Sequence, residues 1–171
     1  MSNVVLYTGV MGAGKTLKAF ADMFADMELN ESRPIEEKRG YYSNITGLKI
    51  DGVLPLPDDW RTTPPKSYIV YDEAQSIPKF ARKRGQASKE VQDLSFARKQ
   101  DHKICFIAQG ANLLHQDLLD KVGEHYHLHR PYGAKLATVY MWRSQAQKNP
   151  LGREAQRTCE NKFLFTYPTK L

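Results

Sequence analysis

Cysteine is scarce: Cys105 and Cys159 are the only two in 171 residues, so neither a disulfide framework nor a cysteine metal knuckle is encoded. That usage suits a reducing cytosol. No apolar run approaches the roughly 20 residues needed to cross a bilayer, and the opening MSNVVLYTGV has neither a charged leader nor a cleavage site. The chain as given is therefore expected to be soluble. Repeats and low-complexity tracts are absent as well, which excludes a solenoid or a linker. Acidic side chains are outnumbered 19 to 25 by basic ones, a formal net charge of +6. The excess favours anionic partners without choosing among DNA, RNA, acidic lipid and nucleotide. What is present, 41% hydrophobic residues over this length, is enough for one core, so residues 1–171 are expected to form a single domain.

Strands and helices alternate along most of the chain. Asn3 to Thr8 is rich in β-branched and large apolar residues and stops at Gly9, as a buried strand entering a glycine loop does. From Lys15 onward, Leu17, Phe20, Ala21, Phe24 and Met27 recur at helical spacing, with Asp22, Asp26 and Glu28 off the stripe. Tyr41 to Ile45 is a short strand candidate. Asp51 to Ser67 holds Pro55, Pro57, Pro64 and Pro65, a density that predicts a long surface connection. Tyr68 to Tyr71 and Ile104 to Ala108 are apolar runs without alternation, the mark of central strands covered on both faces. Val91, Leu94 and Ser95 fit one helix stripe between them, and Leu113, Leu114, Leu118, Leu119 and Val122 fit another after them. This order predicts an α/β fold with a largely parallel sheet flanked by helices. Tyr126 to Arg130, Thr138 to Trp142 and Phe163 to Tyr167 read as further strands, an antiparallel C-terminal extension, while Ser144 to Lys162 is polar and basic.

GVMGAGKT, Gly9 to Thr16, fits G-x-x-x-x-G-K-[ST] at every fixed position. The residue types suit phosphate. Glycines let the loop amides of Gly9, Val10, Met11, Gly12, Ala13, Gly14, Lys15, Thr16 and Leu17 turn inward on phosphate oxygens, Lys15 reaches the β and γ phosphates, and the Thr16 hydroxyl ligates Mg²⁺. The helix N-terminus adds a positive field. The bland alternative is a glycine turn before an ordinary helix; the flanking strand and helix weaken it. YIVYDE, Tyr68 to Glu73, supplies the second half. A carboxylate at the carboxyl end of a parallel strand sits where ligands of such sheets bind, so Asp72 is a candidate to hold Mg²⁺ through water and Glu73 to take a proton from the attacking water. Gln109 ends the next buried strand, where an amide orients the lytic water or senses the γ-phosphate. Taken alone, the acidic pair reads equally as a surface turn, and Gln109 as an ordinary strand terminus.

This constellation, a P-loop NTPase with a Walker A and a Walker B element, resembles the additional-strand (ASCE) branch of such ATPases. More closely, it resembles the zonula occludens toxin (Zot) family, which is similar to the assembly and export ATPases of filamentous phages and is grouped with the FtsK/HerA class of DNA pumps. The resemblance rests on GVMGAGKT, SNITGL (Ser43 to Leu48), YIVYDEA, Arg98 ahead of FIAQ, and LLHQDLLDKVGEHYHLHRPYG (Leu113 to Gly133), and spans nearly the whole chain. Family members commonly carry proline where Met11 stands. They also carry a His-Arg-His-x-Gly-x-Asp run where this chain has ARKQDHK, which keeps only Arg98. The resemblance implies a Mg²⁺-dependent ATP hydrolase that serves filamentous phage assembly and virion export from a prophage or phage genome. It also implies a homo-oligomer in which Arg98 completes a neighbour's catalytic site, phage or other membrane assembly proteins as partners, and single-stranded DNA as a possible cargo. It places the domain in the cytoplasm, held at the host inner membrane through a span beyond this chain.

Two weaker signals remain. KFARKRG, Lys79 to Gly85, packs Lys79, Arg82, Lys83 and Arg84 shortly after the acidic pair, either as a contact for a phosphate backbone or as a solvated loop. His125, His127 and His129 alternate and so share one face of a strand, a spacing that could hold a metal but converges on one small ion only if the strand curves; Arg130 beside them is a second arginine candidate. Two rival readings of the whole chain stand beside the ATPase. One is a small-molecule or nucleotide kinase with KFARKRG as its lid, the other a non-hydrolysing module whose nucleotide switches a partner surface.

Overall fold

Val4–Thr8 forms β1, with all five residues buried, and Lys15–Glu31 forms α1. The structure, a computed structural model, describes residues 3–131, 134–143 and 161–166. β1 does not alternate because both of its faces are covered. Val5 and Tyr7 pack with Ala19, Phe20 and Met23 of α1, while Val4 and Leu6 point the other way into a cluster with Ile69, Tyr71, Ile104 and Phe106. The buried face of α1 is turned by about one residue from the expected stripe: Ala19, Phe20 and Met23 are buried and Phe24 is exposed. The reason lies in the sheet below. The Tyr7 hydroxyl donates to Asp22 at 2.7 Å and the Tyr41 hydroxyl to Asp26 at 2.7 Å, so two acidic residues expected to face solvent are drawn down to satisfy phenols at the helix–sheet seam.

The remaining strands are β2 (Tyr41–Ser43), β3 (Val53–Pro55), β4 (Tyr68–Tyr71), β5 (Lys103–Ala108), β6 (Glu124–His129), β7 (Leu136–Arg143) and β8 (Asn161–Thr166). They join β1 in one eight-stranded sheet of order β3-β2-β4-β5-β1-β6-β7-β8. Pairing is parallel from β3 through β6 and antiparallel at β6–β7 and β7–β8. The α/β architecture with antiparallel C-terminal strands is the one expected. β5 is inserted between the glycine-loop strand β1 and the acidic strand β4, which is the additional-strand arrangement. Register aligns the business ends: Thr8 faces Ala108 and Tyr71 faces Phe106, so Gly9, Gln109 and the Asp72–Glu73 pair emerge along one carboxyl edge.

The connections depart from expectation in three places. Within Asp51 to Ser67 the chain forms the edge strand β3, whose Pro55 at the end of an edge strand needs no amide, and a 3₁₀ turn over Trp60–Thr62. Trp60 is only 2% exposed; its Nε1 donates to the Glu90 carbonyl at 3.2 Å and its ring meets the edge of His102. This segment is thus tied into the core by one large aromatic. The stripe at Val91 and Leu94 splits into a short α2 (Lys89–Gln92) and a 3₁₀ run over Asp93–Gln100. The leucine-rich stripe after β5 is likewise broken into a 3₁₀ turn, Ala111–Leu113, and α3 (Gln116–Leu119). There the His115 ring accepts from the Asp117 amide at 3.1 Å and so caps a fresh helix start. Most of Ser144 to Lys162, with Cys159, lies outside the described residues, as does Tyr167.

Trp60→Ala should lower the unfolding free energy by about 3–5 kcal/mol, the range for emptying a large aromatic site, as measured by urea titration. A change under about 0.5 kcal/mol, usual for a surface loop, would return the segment to mere cover.

Candidate functional site

The glycine loop is shaped by two backbone constraints. Gly14, the residue before α1, takes φ 90° and ψ 20°, a left-handed turn that brings the chain into the helix and that a side chain resists. A Cβ on Gly9 would stand 2.6 Å from the Leu128 carbonyl oxygen of β6, so β1 and β6 close on the loop only because that atom is missing. The Ala13 amide closes a tight turn on Val10 O at 3.1 Å, and the first helical bond runs from the Lys18 amide to Gly14 O at 2.9 Å. The amides of Lys15, Thr16 and Leu17 therefore have no intrahelical acceptor and give the N-terminus its positive field. Val10 and Met11 form the exposed tip, while Ala13 is buried against Leu128 and Val139.

The charged groups meet beside this loop. Lys15 is buried, and its ammonium donates to Val10 O at 3.1 Å. Burial lowers its pKa, with the charges of Glu73 and Asp72 pulling the other way, so a cation is held where a low dielectric strengthens its pull on any anion. The Thr16 hydroxyl donates to Asp72 Oδ1 at 3.3 Å, bridging α1 and the end of β4. Burial raises the Asp72 pKa, as does the Glu73 charge, while the Glu73 amide, the Thr16 hydroxyl and the Lys15 charge oppose. Glu73 follows in the left-handed region at φ 48°, a conformation that costs a residue with a side chain about 1–3 kcal/mol. Its amide donates back to Asp72 Oδ1 at 3.0 Å and its carboxylate accepts from the Gln75 amide group. A hydroxyl and a carboxylate oxygen side by side are hard donors of the kind Mg²⁺ takes, and Mg²⁺ bound with a nucleotide needs only one or two protein ligands. The set Thr16 and Asp72 fits it. Among the described residues, no three His, Cys, Asp or Glu side chains cluster as a metal site.

The other expected residues are distributed unevenly. Gln109 follows β5 on the same carboxyl edge, exposed to solvent. Arg98 is also exposed but sits in the 3₁₀ run that feeds the opposite end of β5, about 20 Å away for six residues at ~3.3 Å each. Arg98 therefore does not share the carboxyl edge with Gly9, Gln109 and the acidic pair. Arg130 lies on its own chain's loop instead: Nη1 donates to the Gly12 carbonyl at 3.3 Å and Nε to Ala134 O at 2.5 Å. His125 and His127 share a partner, the Thr8 hydroxyl, at 2.6 and 2.9 Å. A hydroxyl donates once, so at most one of the two rings accepts from it, and burial, with the His129 charge, lowers the His127 pKa. His129 is exposed at the strand end.

Asn44 is the main residue that reading the residues singly misses. Its side chain accepts from the Asp72 amide at 2.7 Å and donates to the Asp72 carbonyl at 3.0 Å, clamping the backbone of the residue meant for metal. Only the pairing of β2 with β4 puts it there, and the sequence signals, its place at the end of a short strand and within SNITGL, gave it no role. Gln75, two residues past Glu73, carried no signal.

No protein-family model matches the chain. It is similar to the crystal structure of the N-terminal domain of zonular occludens toxin from Neisseria meningitidis, with 30% identity, TM-score 0.69, and coverage of 99% of this chain and 96% of that one. It is also 32% identical over 166 residues to the ORF301 protein of Pseudomonas phage Pf3, to which a role in assembly is ascribed. That match takes in 92% of this chain and 52% of ORF301, so the chain spans about half the length of this curated relative. The genome packaging NTPase B204 of Sulfolobus turreted icosahedral virus 2, solved with AMPPCP, shares the fold at 9% identity and TM-score 0.58, covering 81% of this chain and 92% of that one.

Because the Asp72 pKa is raised above its ordinary 3.8, its ionised form is what folding disfavours. The penalty is complete well above the raised value and absent below pH 3.8. Asp72→Asn should therefore raise Tm at pH 7, with the gain fading as pH falls through the raised value toward 3.8. A Tm gain that is unchanged or grows on acidification would contradict burial as the cause.

Proposed function

Because this chain belongs to the zonular occludens toxin family, as the match along nearly its whole length shows, we propose that it is a Mg²⁺-dependent ATP hydrolase. The observation that carries the reading is the Thr16–Asp72 contact of 3.3 Å, with buried Lys15 on one side and Glu73 on the other. Lys15 and the loop amides from Gly9 to Leu17 bind the triphosphate. Thr16 and Asp72 would hold the metal. When bound there, Mg²⁺ would offset the negative charge of the phosphates during transfer. Glu73, exposed and directed by Gln75, takes the proton from water, which Gln109 orients from the end of β5. Asn44 keeps the Asp72 backbone fixed while the carboxylate acts. The working unit is a homo-oligomer, since Arg98 lies on the far edge of the sheet and serves only a neighbour's triphosphate. The output is assembly and extrusion of a filamentous phage across the host inner membrane, supported by kinship with a toxin-family domain and by the assembly role ascribed to ORF301.

The kinase alternative requires KFARKRG to swing as a lid. Phe80 of that segment is fully buried, Ala81 pairs with Leu114 and the Arg82 amide donates to Leu113 O at 2.8 Å, fastenings at odds with a hinged flap.

Glu73→Gln should reduce phosphate release from ATP by about a hundredfold or more, as loss of a general base does, while ATP binding by equilibrium dialysis stays unchanged. Retained release would remove Glu73 from its role, and release seen only after an acceptor is added would favour the kinase.

A further inference from the structure

We infer that the exposed run Arg82, Lys83 and Arg84 is a contact for the phosphate backbone of nucleic acid, mounted so that its occupancy reaches Glu73 and Gln109. Three features separate it from an ordinary solvated loop.

The first is uncompensated charge. All three side chains are exposed, and no ion pair among the described residues includes them. Lys79, four residues from Lys83, is by contrast paired with Glu90 at 2.8 Å. Arg82 Nη1 donates to the Asn112 carbonyl at 3.2 Å, which orients the guanidinium and leaves its charge in place.

The second is rigid support. Phe80 is buried between Tyr71 and Phe106, with ring centroids at 4.8 and 5.0 Å. Ala81 forms an antiparallel bridge to Leu114, and the His115 amide donates to Phe80 O at 2.9 Å. On the far side of the run the buried His115 ring contacts Gly85 O at 3.2 Å, and Ser88 Oγ donates to Lys79 O at 3.1 Å. A loop that only needed solvation would not be anchored on both sides.

The third is where the anchors lead. Back along the chain from Phe80 stand Glu73 and Asp72; back from Leu114 stands Gln109. The Ala81–Leu114 bridge thus joins the two segments that leave β4 and β5 on the carboxyl edge, and the cations sit on that joint. Because no aromatic side chain is exposed within the run, stacking on bases has no platform and the contact is to phosphate, independent of sequence. A lipid surface is the poorer fit: it calls for four to eight cations or an apolar face to insert, and Phe80 turns inward. The binding part stands on these observations alone, and the coupling part rests on the hydrolase reading above.

The test uses the full chain and a fluorescent 30-residue oligothymidylate, followed by anisotropy without nucleotide or magnesium. Substituting Arg82→Ala, Lys83→Ala and Arg84→Ala together should weaken binding about tenfold in low salt and make the plot of log K against log salt shallower by about 2, from three contacts at about 0.7 each. A Lys38→Ala, Lys99→Ala control, at the other edge of the sheet, should behave as wild type. In a second arm the oligothymidylate should speed phosphate release by wild type and not by the triple variant, with equal basal rates. Equal slopes for variant and wild type, an equal loss in the control, or displacement of the oligothymidylate by anionic phosphatidylserine vesicles would each overturn the contact. A reduced slope without stimulation would overturn the coupling alone. Absence of phosphate release in wild type would count against the hydrolase reading and leave the binding arm decisive.

Discussion

One short bridge organises this molecule: the Thr16 hydroxyl on Asp72, 3.3 Å long, reaching from the first turn of α1 to the end of β4 across the inserted strand β5. Two intervals of nearly 5 Å separate β1 from β4, so the contact forms only because α1 begins over that gap. The start of α1 is set in turn by the left-handed Gly14, and the depth of the loop by the clearance Gly9 leaves for Leu128. Sheet order, loop shape and site chemistry are thus one constraint seen at three scales.

The arrangement is held against local preference. Burial disfavours the charges of both Lys15 and Asp72, and Glu73 sits in a backbone region that side chains avoid. Such costs persist where surrounding structure overdetermines them, and here the support is visible. Asn44 grips the Asp72 backbone with two hydrogen bonds, Tyr71 stacks on Phe106 with ring centroids 5.5 Å apart, and both faces of β4 are sealed. A rigid sheet supplies position, and these costly residues stand at its carboxyl edge, where ligands of α/β sheets bind.

Much of this was legible from residue order. The strands β1, β4 and β5 announced themselves as apolar runs without alternation, and the glycine loop and acidic pair by spacing. The failures share a physical cause, which is that partners distant in sequence decide local outcomes. Asp22 and Asp26 turn toward the sheet because tyrosines on β1 and β2 need acceptors. The leucines after β5 do not form one helix because His115 caps a new start, and the proline-rich segment is not mere cover because Trp60 finds a slot beside His102. Asn44 stood within SNITGL without a readable role for the same reason, since that role exists only through the pairing of β2 with β4.

The central claim, that Lys15, Thr16 and Asp72 together grip a metal-bound triphosphate, is tested most directly by calorimetric titration of ATP into this chain with Mg²⁺ and with EDTA. The account predicts binding with Mg²⁺ that weakens sharply in EDTA and is lost in Lys15→Ala. Equal affinity with and without Mg²⁺, or full affinity in Lys15→Ala, would contradict it.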